Sequence, residues 1–273
     1  MTSSYKRLIK HLTPPLAMDA FRAMRKRDIS LRGRYSSWSE AQRHSTGYDA
    51  DAILKRVTEA ALKVKAGEAV YERDSVLFDE IQYSYPVLVG LLHAATLNHS
   101  RLSVLDFGGA LGSSYFQCRG FLSKLEELRW SIVEQESFVR RGRDFFEGGP
   151  LRFFSDLDEC VRVQKPSVAL FSSVLQYLED PYSILGQLDR YALPYVIVDL
   201  VPLHVGEEDV VTVQHTSKAI YQASYPFRIF SKRKFLLSFA PSYEKLLEFD
   251  SLEFPALTSF SACYKGFLFK RKP

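Results

Sequence analysis

Short apolar runs alternate with helical patterns through the second half of the chain. Five of these runs are almost continuously apolar, which is typical of parallel strands buried on both faces. Segments with apolar residues at helical spacing lie between them. Strands that alternate with helices over about 100 residues predict a parallel sheet with right-handed crossovers. The five predicted strands span residues 103–106, 130–133, 151–154, 167–171 and 195–200.

The end of the chain has a different pattern. Ser231 is placed to cap a helix through Leu237. Two late strands, 243–249 and 259–269, are predicted to close the sheet as a hairpin-like pair. The segment 201–230 is predicted to be a long loop, and long loops in compact domains are often lids or binding loops.

The first third of the chain is predicted to be helical. Asp49 can cap a helix that runs to about Lys65, and the apolar segment 86–97 is predicted to be a buried helix leading into the first strand. We therefore divide the chain into a helical extension, 1–97, that packs on the core, and a second domain, 98–273.

A glycine-rich turn follows the first of the five strands, where residues 106–112 read D-F-G-G-A-L-G. A strand, a glycine turn and a helix in succession place free backbone N–H groups and a positive helix end beside a ligand. Glu134 ends the second strand, 22 residues after Gly112, and a carboxylate there can accept hydrogen bonds from both hydroxyls of a ribose. The two features predict a nucleoside site. The alternative is a turn that serves only helix–strand packing.

The spacing of the glycines decides which nucleoside the turn favours. Neither G-x-G-x-x-G nor G-x-x-x-x-G-K-[ST] is present. The run D-x-G-x-x-x-G resembles the first motif of class I S-adenosylmethionine (SAM) methyltransferases, usually D-x-G-x-G-x-G, from which Ala110 departs at the middle glycine. The resemblance implies that the turn passes under the methionine part of SAM and that Glu134 binds the ribose.

The resemblance extends to a group of bacterial SAM-dependent methyltransferases often encoded among surface-polysaccharide genes. It spans roughly residues 30 to 270 and implies methyl transfer in a saccharide-linked setting. The segments that carry it are 33–41, 47–49, 72–75, 106–109, 172–177 and 214–230.

The fold implied is a Rossmann-like α/β sandwich of the class I methyltransferases, with a mostly parallel sheet, an antiparallel last strand and a helical N-terminal extension. SAM is the expected cofactor. The predicted cofactor-binding residues are Asp106, Gly108, Gly109, Gly112, Glu134, Asp156 and Ser172.

The acceptor is expected at the carboxyl ends of the strands, where open α/β sheets bind ligands. Methyl transfer is an in-line displacement, so placement supplies most of the acceleration, and a hydroxyl acceptor also needs a base. His215 is the first candidate because an imidazole titrates near neutral pH. Asp199, which can instead anchor the loop, is second, and Tyr177 and His204 also qualify. The predicted substrate-binding residues are Ser173, Gln176, Gln214, Tyr221, Tyr225 and Arg228.

Charge and cysteine content predict the cellular compartment of the protein and its contact with a membrane. Residues 1–34 contain nine Lys or Arg and two Asp, a local charge of +7 in a chain of net charge +4. This basic amphipathic segment either contacts an anionic membrane or a polyanion, or packs its apolar side on the core. Three widely spaced cysteines offer neither a disulfide framework nor a metal site and favour the cytoplasm. No apolar run approaches the roughly 20 residues of a membrane span, so any membrane contact is expected to be peripheral, at the inner face.

Two classes of function stay open. The favoured one is an enzyme, a SAM-dependent methyltransferase acting on a sugar or glycolipid precursor of a surface polysaccharide. The other is a non-catalytic SAM-fold subunit of a polysaccharide-synthesis system. Nucleic acid is disfavoured as the substrate, because residues 172–175 read S-S-V-L where amino-group methylases carry a D/N-P-P-Y/F motif.

Overall fold

A computed structural model describes residues 29–46, 50–73, 76–78, 80–81, 83–216, 223–251 and 255–273. Most of the basic N-terminal segment, the predicted helix cap Asp49 and the predicted substrate residue Tyr221 lie outside these ranges. Within the described ranges no helix is both long enough and apolar enough to cross a membrane.

The described residues form twelve strands and eight α-helices. The strands are β1 (Ile29–Tyr35), β2 (Tyr71–Arg73), β3 (Val76–Phe78), β4 (Arg101–Phe107), β5 (Glu127–Val133), β6 (Leu151–Phe154), β7 (Val168–Ser172), β8 (Tyr195–His204), β9 (Val210–Thr216), β10 (Ala223–Ser231), β11 (Tyr243–Asp250) and β12 (Ala262–Arg271). The helices are α1 (Trp38–Arg43), α2 (Ala50–Lys65), α3 (Tyr85–Thr96), α4 (Ser113–Leu122), α5 (Glu136–Phe145), α6 (Leu157–Gln164), α7 (Pro181–Tyr191) and α8 (Lys232–Phe239). Short 3₁₀ turns cover Leu175–Tyr177 and Pro255–Phe260.

The central sheet is mostly parallel, and the prediction is confirmed. Its strands follow the order β6-β5-β4-β7-β8-β12-β11. Neighbours from β6 to β8 are parallel, whereas β12 runs antiparallel to both β8 and β11. The carboxyl ends of β4, β5, β7 and β8 therefore meet at one edge of the sheet.

Alternate residues of β8 enter two different cores, because successive side chains of a strand point to opposite faces. Tyr195 and Ile197 pack in the core beneath helices α2 to α5. Val196 and Val198 pack in the core beneath α6 to α8. Burial on both faces explains why this strand is an unbroken apolar run in the sequence.

Two helix starts follow their sequence signals. Asp180 caps α7, and its carboxylate accepts a hydrogen bond of 3.0 Å from the Ser183 backbone N–H, with Pro181 in the first turn. Ser231 caps α8 through a hydrogen bond of 3.4 Å from the Lys234 N–H to its hydroxyl, as predicted.

The prediction of one long loop over residues 201–230 is wrong. β8 continues to His204, and the antiparallel pair β9–β10 follows. β10 joins the end of β8 in parallel through Phe230 and Ser231, and β1 pairs with the outer edge of β9. A three-stranded sheet, β1–β9–β10, therefore stands beside the carboxyl ends of β7 and β8. The β-branched run Val210-Val211-Thr212-Val213 is the signal that favours a strand here.

The N-terminal extension contains the predicted helices over α2 and α3. It also contains the short helix α1, the strand β1 and the hairpin β2–β3, none of which was predicted. The division at residue 97 stays a prediction.

Candidate functional site

The glycine turn between β4 and α4 has three residues in the left-handed region. Gly108 has φ +70°, Ala110 +49° and Gly112 +103°. A Cβ added at Gly108 would lie 2.3 Å from Cγ2 of Val174, which follows the end of β7. Only glycine fits at position 108 in this arrangement, because the turn and the segment after β7 are in direct contact.

Asp106 lies buried beneath the turn. A Cβ at Gly109 would stand 2.5 Å from its Oδ2 atom, and the indole Nε1 of Trp130 donates a hydrogen bond of 2.9 Å to the same oxygen. The carboxyl group is 1% exposed. Asp106 therefore supports the turn from below, and Trp130 of β5 holds its carboxyl group in place.

The pKa of Asp106 is raised from 3.8 to about 7. Burial is the main cause, the hydrogen bond from Trp130 lowers the pKa, and the negative charge of Glu134 adds to the rise. A group whose pKa is raised by folding holds its proton more tightly in the folded state. Its contribution to stability is present below the unfolded pKa and is lost as the pH rises from about 4 to about 7.

Replacing Asp106 by Asn should therefore change the pH dependence of stability. An amide cannot ionise, yet its oxygen can still accept from Trp130. We expect the free energy of unfolding of Asp106→Asn to exceed that of the wild type by on the order of 3 kcal/mol at pH 8, with little difference near pH 4. Urea unfolding across this range measures it, and parallel pH profiles would contradict the assignment.

Glu134 follows directly after β5 and lies against the turn. Its Oε2 accepts a hydrogen bond of 2.7 Å from the Gln135 backbone N–H, and its backbone N–H donates to Phe154 O at 3.0 Å. Burial raises the pKa of its carboxyl group, while hydrogen bonds from the backbone of Gln135 and Ala110 lower it. The structure thus brings Glu134 to the glycine turn.

The two other predicted cofactor residues lie at the carboxyl ends of the strands that flank the β4–β5 pair: Asp156 two residues after β6, and Ser172 as the last residue of β7. Asp156 is exposed and caps α6, where its Oδ1 accepts a hydrogen bond of 2.6 Å from the Glu159 N–H. Ser172 is half-buried at the end of β7, in register with Asp199 of β8. Both lie at the edge of the sheet that carries the turn, because β6 and β7 run parallel to β4 and β5.

Polar and aromatic side chains from β9, β10 and the 3₁₀ turn after β7 form a hydrogen-bonded wall. The Tyr177 hydroxyl donates to Oε1 of Gln214 at 3.3 Å, and Nε2 of Gln214 donates to the Tyr225 hydroxyl at 2.8 Å. The ring of Tyr177 also packs edge-on against Tyr225 and Phe227, each at 5.5 Å between centroids. We call Tyr177, Gln214 and Tyr225 the tyrosine wall.

His215 is not part of this wall. It follows Gln214 in β9, so its side chain points to the opposite face. That face carries Val213, which packs against Ala41 of α1. Burial and the charge of Arg32 lower the pKa of His215. The sequence placed His215 and Tyr177 together, and the structure separates them.

Asp199 and His204 both have local partners. Oδ1 of Asp199 accepts from the Leu200 N–H at 3.0 Å and from the Ser251 hydroxyl at 2.7 Å. Asp199, in the middle of β8, is therefore bonded to the segment that follows β11, and its role as the base stays a prediction. Nδ1 of His204 accepts from the Gly206 N–H at 3.1 Å, and Nε2 lies 2.9 Å from Glu208 O, so this ring stabilises the turn before β9.

Ser173 and Gln176 lie between the glycine turn and the tyrosine wall. Ser173 has φ +57°, and its N–H donates to Asp199 O at 3.0 Å. Gln176 is fully buried, and its Nε2 donates to the Ser173 hydroxyl at 3.1 Å.

Arg228, also predicted to bind substrate, has partners within the protein. Its guanidinium donates to Glu179 O at 2.8 Å and lies 3.4 Å from the Asp209 carboxylate. It also lies over the ring of Trp38. These contacts attach β10 to α1 and to the segment before α7.

Sequence reasoning missed two residues of the site. Trp130 was assigned only to a strand, although its indole holds Asp106. Glu72 is 3% exposed and accepts a hydrogen bond from the Ser113 hydroxyl at the start of α4. Glu72 belongs to the segment 72–75 that carries the family resemblance, but its contact with α4 could not be predicted, because Ser113 lies 41 residues further along the chain.

No known family model matches this chain, and no curated protein matches its sequence. Solved structures do resemble it. The [4+2]-cyclase SpnF has a TM-score of 0.51 at 11% identity, over 88% of this chain and 98% of that one. The N-terminal domain of EvdMO1, crystallised in the presence of S-adenosylhomocysteine (SAH) and D-fucose, has a TM-score of 0.47 at 13% identity, covering 82% and 98%. The CcbJ methyltransferase from Streptomyces caelestis has 0.44 at 13%, covering 69% and 90%.

The likeness to SpnF shows the fold and not the reaction, since the identity is low. Together with the strand order and the glycine turn after β4, it shows a Rossmann-like α/β sandwich with a mostly parallel sheet and an antiparallel last strand. This confirms the predicted fold class.

Proposed function

We propose that this protein is a SAM-dependent methyltransferase. The observation that carries the proposal is the glycine turn with Glu134 beside it, at the ends of two adjacent parallel strands. Gly108 and Gly112 have left-handed backbone, which lets the chain turn sharply between β4 and α4. Burial raises the pKa of Glu134, and backbone hydrogen bonds from Gln135 and Ala110 oppose that rise. The ionised form of its carboxyl group is the one that accepts from two hydroxyl groups.

The residues present fit the cofactor. The turn would lie against the amino-acid part of SAM, and Glu134 would accept hydrogen bonds from the ribose hydroxyls. When bound, SAM supplies an electrophilic methyl group on a sulfonium. Asp106, buried below the turn, holds the loop in place.

We place the acceptor at the tyrosine wall and propose a hydroxylated one, a sugar or a glycolipid precursor. Aromatic faces suit sugar rings, and the hydroxyl and amide groups of the wall suit sugar hydroxyls. Val174 connects the wall to the cofactor side, because it lies in the same segment as Tyr177 and contacts Gly108. An acceptor at the wall would thus lie next to the turn.

Tyr177 and His215 offer a direct test of this placement. Tyr177→Phe removes the hydroxyl that holds Gln214 and keeps the ring, so we expect turnover to fall by about tenfold or more while SAH affinity stays within about twofold. His215→Ala, on the opposite face, should change turnover by less than about twofold. Production of SAH from SAM with hydroxylated acceptors measures this. The reverse order of effects would return the acceptor to the His215 face.

A second candidate function is binding of SAM or SAH without methyl transfer. It is favoured by the likeness to SpnF, a structural neighbour with a TM-score of 0.51 that is described as a [4+2]-cyclase. Mass spectrometry of the purified full chain, looking for retained SAM or SAH, tests binding. Turnover of SAM with a panel of saccharide acceptors separates the two functions. Calorimetry that detects no binding of SAM or SAH would exclude both.

A further inference from the structure

The hairpin β2–β3 lies against the first turns of α4. It carries Glu72, whose carboxylate is bonded to Ser113, the residue directly after the glycine turn. We propose that Glu72 binds the α-ammonium group of the cofactor's amino-acid arm and so makes the N-terminal extension part of the cofactor site. The inference rests on the proposed function and adds a residue that recognises the α-ammonium group of the cofactor.

Two contacts fix the hairpin on α4. The Ser113 hydroxyl donates to Oε1 of Glu72, and Nε2 of Gln117, one turn further along, donates to the Tyr71 hydroxyl at 3.4 Å. Ser113 is the first residue of α4 and directly follows Gly112 of the turn. The Glu72 carboxylate is therefore held one residue beyond the glycine turn.

The start of α4 suits a negative charge. Gly112 occupies the cap position and has no side chain to accept from the first N–H groups of the helix. The positive end of the helix stabilises a nearby carboxylate, and Glu72 is 3% exposed there. Two features of the fold thus keep a buried carboxylate beside the turn: the hairpin that carries it and the helix end that it faces.

The charges on the ligand decide what this carboxylate binds. The amino-acid arm of SAM and SAH carries an α-ammonium and an α-carboxylate, and the proposed function places that arm along the glycine turn. Glu72 attracts the ammonium and repels the carboxylate. A carboxylate accepts several hydrogen bonds at once, so Ser113 and an ammonium group can share it. Glu72 therefore orients the arm with its ammonium towards the hairpin.

The test compares two ligands on the full chain by calorimetry: SAH, and the SAH analogue that lacks only the α-amino group. We expect the wild type to bind SAH about tenfold or more tightly than the analogue. Glu72→Gln keeps the shape and removes the charge, so it should weaken SAH by a similar factor and leave the analogue within about twofold. Glu68→Gln, at an exposed glutamate before the same hairpin, is the matched control and should behave as the wild type.

Each other outcome overturns the inference. If the wild type binds the two ligands with equal affinity, no residue recognises the ammonium group. If Glu72→Gln lowers the affinity for both ligands equally, Glu72 has only a structural role. If thermal unfolding shows that Glu72→Gln is not folded, the affinities for the two ligands are measured with Ser113→Ala instead. That variant keeps the charge but loses its positioning, and it should lose part of the preference for SAH. Failure of the wild type to bind either ligand would instead remove the proposed function itself.

Discussion

Replacing Gly108 by Ala should destabilise the protein by about 2 to 5 kcal/mol and weaken SAH binding by about tenfold or more. The new Cβ would lie 2.3 Å from Cγ2 of Val174, and φ at this position is +70°. Crowding of this kind costs about 1 to 3 kcal/mol, and the left-handed backbone adds about 1 to 2 kcal/mol for a residue with a Cβ. Binding should weaken because the proposed cofactor site lies against this turn, which the new side chain displaces. Urea unfolding and calorimetry with SAH measure the two effects.

Two further variants separate the causes. Gly108→Ala combined with Val174→Ala removes the closest contact and keeps the backbone strain, so it should recover part of the lost stability. Gly120→Ala is the matched control, since a Cβ at this exposed position in α4 meets nothing within 4 Å. It should raise stability by up to about 1 kcal/mol and leave SAH affinity unchanged. Wild-type stability and affinity in Gly108→Ala would show that the turn is not packed in this way.

Glu134→Gln should weaken SAH binding by about tenfold or more. The substitution removes the charge that strengthens hydrogen bonds from the ribose hydroxyls, which are worth about 1.5 to 3 kcal/mol each before compensation. The fold should be kept, because a Gln oxygen can still accept from the backbone N–H of Gln135. Calorimetry with SAH at pH 8 measures the loss.

The pH dependence gives this variant an internal check. Burial raises the pKa of Glu134, so the wild type should lose SAH affinity as the pH falls through that pKa, above the ordinary value of 4.5. Glu134→Gln should lack this contribution. Glu136→Gln, at an exposed glutamate in the first turn of α5, should match the wild type at every pH. Equal affinities of Glu134→Gln and the wild type would take Glu134 out of the site.

The parallel sheet and the cofactor turn could be predicted from the sequence because their signals are local. A strand buried on both faces is apolar at every position, as in Val196, Ile197 and Val198. The glycine turn and its acidic residue follow one strand within a few positions, and Glu134 directly follows the next. Short-range patterns of this kind need no knowledge of distant partners.

The sheet β1–β9–β10 could not be predicted in the same way. The strand β1 lies about 180 residues before its partner β9, as the hydrogen bond between Thr212 and Arg32 shows. Pro226 interrupts β10 with a residue that cannot donate to a strand ladder. Residues 201–230 therefore resembled a loop, although 210–216 and 223–231 are paired strands in the structure.

By itself, the sequence determined the strand–turn–helix unit, the acidic residues beside it and the fold class, because each depends on residues close together in the chain. The tertiary structure decided the directions and partners of the side chains that were predicted to lie near the methyl acceptor. Gln214 and His215 are adjacent, yet the pleat of β9 sends one side chain to the tyrosine wall and the other to α1. Asp199 accepts a hydrogen bond from Ser251, 52 residues away, a partner that no local pattern in the sequence indicates. A side chain's role depends on its direction and its distant partners, and only the folded chain fixes both.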